Sequence, residues 1–89
     1  MTIKLTNHCE ERFSERIAKT DRTSLFVARA NHYGVSASSV RCGELRRLLC
    51  GKEREYGTTA KIYKNCVYWF SGNKAITVYP LAQKYHGRI

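Results

Sequence analysis

The sequence predicts an α+β fold, with two or three N-terminal helices packed on one face of a three- or four-stranded antiparallel sheet. Three observations lead there. Up to residue 57 the apolar residues recur at helical spacing, and beyond it they alternate along short runs rich in β-branched and aromatic residues. Two dipeptides, Lys64-Asn65 and Gly72-Asn73, divide those runs and have the length and chemistry of two-residue hairpin loops. The chain has 89 residues, too few for two independent cores, so it reads as one domain over residues 1–89.

Each element has its own signal. Asn7 with Glu10 fits a capping box, and Thr6 competes as the N-cap. Cys9, Phe13 and Ile17 then recur every fourth residue, which predicts a first helix over residues 8–18. A second helix starts at Thr20, Asp21 or Thr23. It carries Leu25, Phe26, Ala30 and Tyr33 and stops at Gly34. Residues 36–39 form a small polar cluster that predicts a turn and a new cap. Leu45, Leu48 and Leu49 mark a short third helix ending near Gly51, and residues 52–57 read as a charged connection.

The two hairpin loops set a register. Around Lys64-Asn65, Ile62 faces Val67 and Ala60 faces Trp69; around Gly72-Asn73, Ser71 faces Lys74, Trp69 faces Ile76 and Val67 faces Val78. One sheet face then holds Ala60, Ile62, Val67, Trp69, Ile76 and Val78. This face meets the helices, with Trp69 and Ile76 buried against Phe13 and Leu25 or Phe26. The other face holds Lys61, Tyr63, Cys66, Tyr68, Phe70, Ala75, Thr77 and Tyr79. It is expected to be open, its tyrosines free to stack on bases.

Composition narrows the function. Sixteen Lys and Arg against seven Asp and Glu give a formal charge of +9, which points to a polyanionic partner. Residues 1–45 carry seven basic and five acidic side chains, and residues 46–89 carry nine and two, so the excess lies in the second half. Apolar residues make up 43% of the chain and there is one proline, which excludes disordered and collagenous classes. The first residues show no signal-peptide pattern, and no apolar run approaches the roughly 20 residues needed to span a bilayer. No membrane association and a cytoplasmic location are therefore expected. The four cysteines then read as reduced thiols. Their spacings of 33, 8 and 16 residues do not match a zinc site, so neither metal nor cofactor is expected. Phosphate-loop, dinucleotide-binding and H-E-x-x-H motifs are missing, which removes nucleotide hydrolases, dehydrogenases and zincins.

Two constellations carry candidate chemistry. His8, Arg12 and Arg16 stand at i, i+4 and i+8 and form a polar stripe on the first helix. In the first turn, the helix dipole and two arginines disfavour the imidazolium, leaving a neutral base beside a phosphate clamp. Alternatively His8 is a surface cap residue and the arginines pair with Glu11 and Glu15. In the tail, Lys84, Tyr85, His86 and Arg88 bring donors, an acid/base group and cations to a closing segment, or else form a solvated basic end. His32, next to Gly34, reads as a residue capping helix carbonyls.

The order of helices before an antiparallel sheet, the basicity, the H-x3-R-x3-R opening at His8, Arg12 and Arg16, and the strand over residues 75–79 resemble the RelE/ParE-like toxins. More broadly they resemble the metal-independent ribonuclease superfamily of barnase, EndoU and colicin-type toxins. The resemblance covers the first helix and about the last 30 residues. It implies RNA held on the exposed sheet face and cleaved by its own 2′-hydroxyl. It implies acid/base and phosphate roles for His8, Arg12, Tyr79 and His86. Arg16, Lys61, Tyr63, Tyr68, Lys84 and Arg88 are the expected nucleic-acid contacts. The leading expectation is an RNA-binding toxin, a candidate endoribonuclease, with an acidic antitoxin as its protein partner. The alternative is a non-enzymatic, phage-encoded inhibitor or binding module that presents a basic aromatic face to a host protein complex or its nucleic acid. A DNA-binding regulator reading through residues 39–50 is disfavoured by Gly43 within that helix.

Overall fold

The computed structural model describes residues 4–16 and 23–87. In chain order these form β1 (Lys4–Leu5), α1 (Asn7–Arg16), α2 (Thr23–Tyr33), β2 (Val35–Ser36), α3 (Gly43–Tyr56), β3 (Thr59–Tyr63), β4 (Cys66–Ser71) and β5 (Lys74–Pro80). Short 3-10 turns span Ala37–Ser39 and Gln83–Tyr85. The sheet order is β1-β5-β4-β3-β2. The four strands β2 to β5 run antiparallel, and the short β1 joins the edge parallel to β5. The α+β class and the largely N-terminal helices match the sequence reading.

The helices do not share one face. α1 and α2 pack Cys9, Phe13, Val27 and Ala30 against Tyr68, Phe70, Ala75 and Val78. α3 and the first 3-10 turn pack Leu45, Leu49, Ala37 and Val40 against Ala60, Ile62, Val67 and Trp69 on the opposite face. The expected open tyrosine face is therefore covered: Tyr68 and Phe70 are each 3% exposed. Trp69 is buried as expected, but its neighbours are those of the α3 layer, not Phe13, Leu25 or Phe26. The physical reason lies in β4, where four consecutive residues from Val67 to Phe70 are buried. Two separate amphipathic layers each need an apolar sheet face, and a strand apolar on both sides supplies both. Burying each large apolar side chain contributes roughly 1.5–3 kcal/mol, so both layers matter to a domain this small.

The helix ends follow local chemistry. Thr6, not Asn7, caps α1: the Cys9 N–H donates to Thr6 Oγ1 at 3.1 Å. The same hydroxyl lies 3.1 Å from the Ala75 carbonyl oxygen and 3.2 Å from that of Ile76, so the cap also ties α1 to β5. Phe13 and Phe26 stack with ring centroids 5.8 Å apart and join α1 to α2. On α2 the buried residues are Val27 and Ala30, with Phe26 half-buried; Leu25 and Tyr33 face outward. The proposed starts at Thr20 and Asp21, like Ile17, lie outside the described residues. Gly34 follows the last residue of α2 and donates its N–H to the Ala30 carbonyl at 2.8 Å; a Cβ there would collide with that oxygen, so the position excludes a side chain.

α3 is longer than predicted. It continues through Gly51 to Tyr56 and stops at Gly57, whose φ of 65° is left-handed. Residues 52–55 are good helix formers, and their summed preference offsets the penalty of one glycine. Glu53 secures the end: its backbone carbonyl accepts the Thr58 N–H at 3.2 Å, and its carboxylate accepts the Ala60 N–H at 2.8 Å.

Both hairpins form where predicted. Lys64 and Asn65 have φ of 49° and 60°, as a type I′ turn requires, and Gly72 has φ 59° at the first loop position. The β3–β4 register matches the prediction, with Ala60 opposite Trp69 and Ile62 opposite Val67. The β4–β5 register starts as predicted at Ser71 and Lys74 and then slips by one at a β-bulge. Phe70 faces Ala75 while Trp69 faces Thr77, so Ile76 is the extra residue. Beyond it every side chain changes face. Val78 joins Tyr68 under the α1–α2 layer, while Thr77 and Tyr79 turn to the α3 side.

Candidate nucleic-acid interface

The bulge borders a concavity between the sheet and α3. Ile76, Thr77 and Tyr79 from β5 and Trp69 from β4 line it on the sheet side. Lys52 and Tyr56 from the last turns of α3, with Thr58 just after them, form the other wall. The cleft encloses about 340 Å³, at the small end of the roughly 300–1,000 Å³ typical of small-ligand sites. The surface it exposes is mostly apolar, and its lining residues include three aromatic rings, one cation at Lys52 and two threonines, Thr58 and Thr77. Tyr56 is 66% exposed, although it is a large aromatic residue at the cleft edge. The Thr58 hydroxyl oxygen is buried and has no hydrogen-bond partner among the described residues.

The sequence reading missed Lys52 and Tyr56 because it took residues 52–57 for a connection, and Thr58 because it read that residue as the start of a strand. The usable signal was Gly57, a second stop residue after a run of four good helix formers, Lys52 to Glu55, and Tyr56. Tyr79 was singled out for the wrong face. Trp69 was seen only as core, yet it also lines the cleft.

The residues expected to act together are divided by the sheet. α1, with His8 in its first turn, belongs to one layer; the His8 side chain lies outside the described residues. Arg12 Nη1 pairs with Glu15 Oε2 at 2.9 Å, as the structural alternative anticipated. Arg16 Nη1 donates to the Val78 carbonyl at 3.4 Å. Tyr79 and the segment leading to His86 belong to the α3 side, where His86 Nε2 contacts the Leu81 carbonyl oxygen at 2.9 Å. The structure thus does not bring Arg12 together with Tyr79 and His86.

The expected binding residues fare unevenly. Tyr68 is sealed in the core, where burial pushes its phenol well above its usual range. Burial raises the Cys66 thiol too. Tyr63 is half-buried, with Lys64 Nζ 5.7 Å from its ring centroid. Lys61 Nζ donates to Ser36 Oγ at 3.2 Å. Lys84 Nζ lies 4.9 Å from the Tyr85 ring and 3.6 Å from Glu44 Oε1, and its pKa is raised by those neighbours, Tyr85 first. Arg88 lies outside the described residues. His32 is exposed at the end of α2 and packs edge-on to Tyr33 at 4.5 Å.

Charge remains the strongest feature. Residues 46–87 hold eight cations, and among the described residues only Lys84 of these reaches a carboxylate. Arg47 and Arg54 stand seven residues apart on the outer side of α3, and both are exposed. They are two turns apart on one helix face, about 10 Å along the axis. Lys64 and Lys74 are exposed at the hairpin ends. No helix among the described residues is long and apolar enough to cross a membrane. Comparison with protein-family models, with curated proteins and with solved structures finds no match to this chain.

Proposed function

We propose that the chain binds single-stranded nucleic acid, RNA foremost, through the basic outer side of α3 and the aromatic cleft beside it. The observation that carries this reading is the set of cations in residues 46–87 that pair with no carboxylate among the described residues, together with a cleft lined by Trp69, Tyr56 and Tyr79. Cations that track a backbone and aromatic rings that take bases are the two parts of a single-strand site. An acidic protein surface would satisfy the cations but leaves the aromatic cleft without a role. The reading is of binding without cleavage. Tyr79 and the segment leading to His86 lie across the sheet from α1, which carries His8 and Arg12, and Arg12 is engaged by Glu15.

The test is fluorescence anisotropy of an end-labelled, unstructured RNA, followed by a denaturing gel of the same samples with EDTA present. Binding with the RNA intact is expected. Cleavage would restore the ribonuclease reading, and absence of binding at low salt would remove RNA as the partner.

A further inference from the structure

We infer that the cleft between α3 and β5 is a pocket for one unstacked nucleobase with its sugar phosphate; this rests on the single-strand reading above. Three observations converge on it. The first is the bulge at Ile76, which turns Ile76, Thr77 and Tyr79 toward the same side and opens the sheet-side wall beside Trp69. A regular hairpin would have placed Thr77 and Tyr79 on the other face. Bulges often sit where a side chain has been re-aimed at a site.

The second is composition. Trp69, Tyr56 and Tyr79 put three aromatic rings into the lining, Tyr56 the most open at 66% exposure, and Lys52 is the one cation among the lining residues. A base needs a ring face and its phosphate needs a cation; a wholly apolar ligand would leave Lys52 unused, and inorganic phosphate would leave the rings unused. The third is the Thr58 hydroxyl, buried without a partner on the wall of the cleft. A hydroxyl both donates and accepts, and a turn about χ1 would bring this covered oxygen to the polar edge of a base. Orphaned buried polar groups call for an explanation in a folded chain. The volume of about 340 Å³ suits one nucleotide and not a stacked pair.

Trp69 is the only tryptophan in the chain, so its fluorescence reports on the cleft directly. The experiment titrates the intact protein with AMP, CMP, GMP and UMP, with the matching nucleosides, and with inorganic phosphate. RNA binding is measured in parallel by anisotropy. Saturable quenching by at least one monophosphate is expected, weaker with its nucleoside and absent with phosphate alone. Tyr56→Ala, at an exposed position, should weaken monophosphate binding about tenfold, within the range for loss of one stacked base. Thr58→Val should weaken it while leaving the fold at least as stable, because the change removes an unsatisfied buried hydroxyl. Lys52→Gln should bring the monophosphate down to the level of its nucleoside.

No quenching at millimolar monophosphate, with RNA still bound, would overturn the pocket and leave the single-strand reading standing. Quenching without RNA binding would support the pocket and remove the RNA reading. A concentration-dependent dimer abolished by Tyr56→Ala would overturn the pocket, since a second copy of the chain would then fill the cleft.

Discussion

Two identical substitutions six residues apart should shift stability in opposite directions. Gly51 lies within α3, and a Cβ built there meets nothing within 4 Å. Ala at an open helix-interior position is better than Gly by about 0.8–1 kcal/mol, so Gly51→Ala should stabilise the protein by that amount. Gly57 also has open space around it, but its φ is +65°. A side chain in the left-handed region costs roughly 1–2 kcal/mol, so Gly57→Ala should destabilise. Urea unfolding followed by far-UV circular dichroism and by Trp69 fluorescence measures both. With a slope of about 1–3 kcal/mol per molar urea, the midpoints should move apart by roughly 0.6–3 M. If α3 ended near Gly51, as its stop signal suggests, Gly51 would be the left-handed residue and the signs would exchange. A lowered midpoint for Gly51→Ala would therefore refute the length of α3. It would also dissolve the cleft, because Lys52 and Tyr56 line it only as helical residues.

Other outcomes follow from the same packing. Trp69→Ala should cost about 3–5 kcal/mol, comparable with the total stability of a small domain; a thermal midpoint close to wild type would contradict its burial at 6% exposure. Gly34→Ala should destabilise by roughly 1–3 kcal/mol, since its Cβ would strike the Ala30 carbonyl and meet Lys61 Cβ at 3.0 Å; an unchanged urea midpoint would disprove the close approach. Burial raises the folded-state pKa of Tyr68 above its unfolded value near 10, so this stability is present below about pH 10 and is lost as pH climbs beyond it. Tyr68→Phe should flatten the fall in stability above about pH 10, by at most about 1.4 kcal/mol per pH unit. Parallel curves for the two proteins would show that the phenol ionises freely in the folded state.

Local rules carried much of the fold. The φ values at Lys64, Asn65 and Gly72 are those their turn types demand, so the two hairpins were readable from four residues. Thr6 was in view as a cap, but its advantage over Asn7 is tertiary: its hydroxyl also meets β5. The bulge at Ile76 left no mark in the residue pattern, and one extra residue was enough to exchange Thr77, Val78 and Tyr79 between faces. The covered tyrosine face was readable after all. The run from Cys66 to Phe70 is apolar without interruption, which marks a strand buried on both sides; the hydroxyls of its neighbours drew the reading toward solvent. Of the candidate site, the basic second half was legible in composition alone. The cleft was not, because it depends on the bulge and on where α3 stops.

Nucleic-acid binding through α3 is tested most directly by the salt dependence of RNA affinity for the wild type and for the double variant Arg47→Gln, Arg54→Gln. Both arginines are exposed, and neither pairs with a carboxylate among the described residues, so the fold should survive their loss. For single strands each phosphate contact contributes about −0.7 to the slope of log affinity against log salt, so the variant's slope should be shallower by about 1.4. Its affinity should fall most at low salt and converge with that of the wild type at high salt. Equal slopes for the two proteins would contradict the account, because the nucleic acid would then be held somewhere other than on α3.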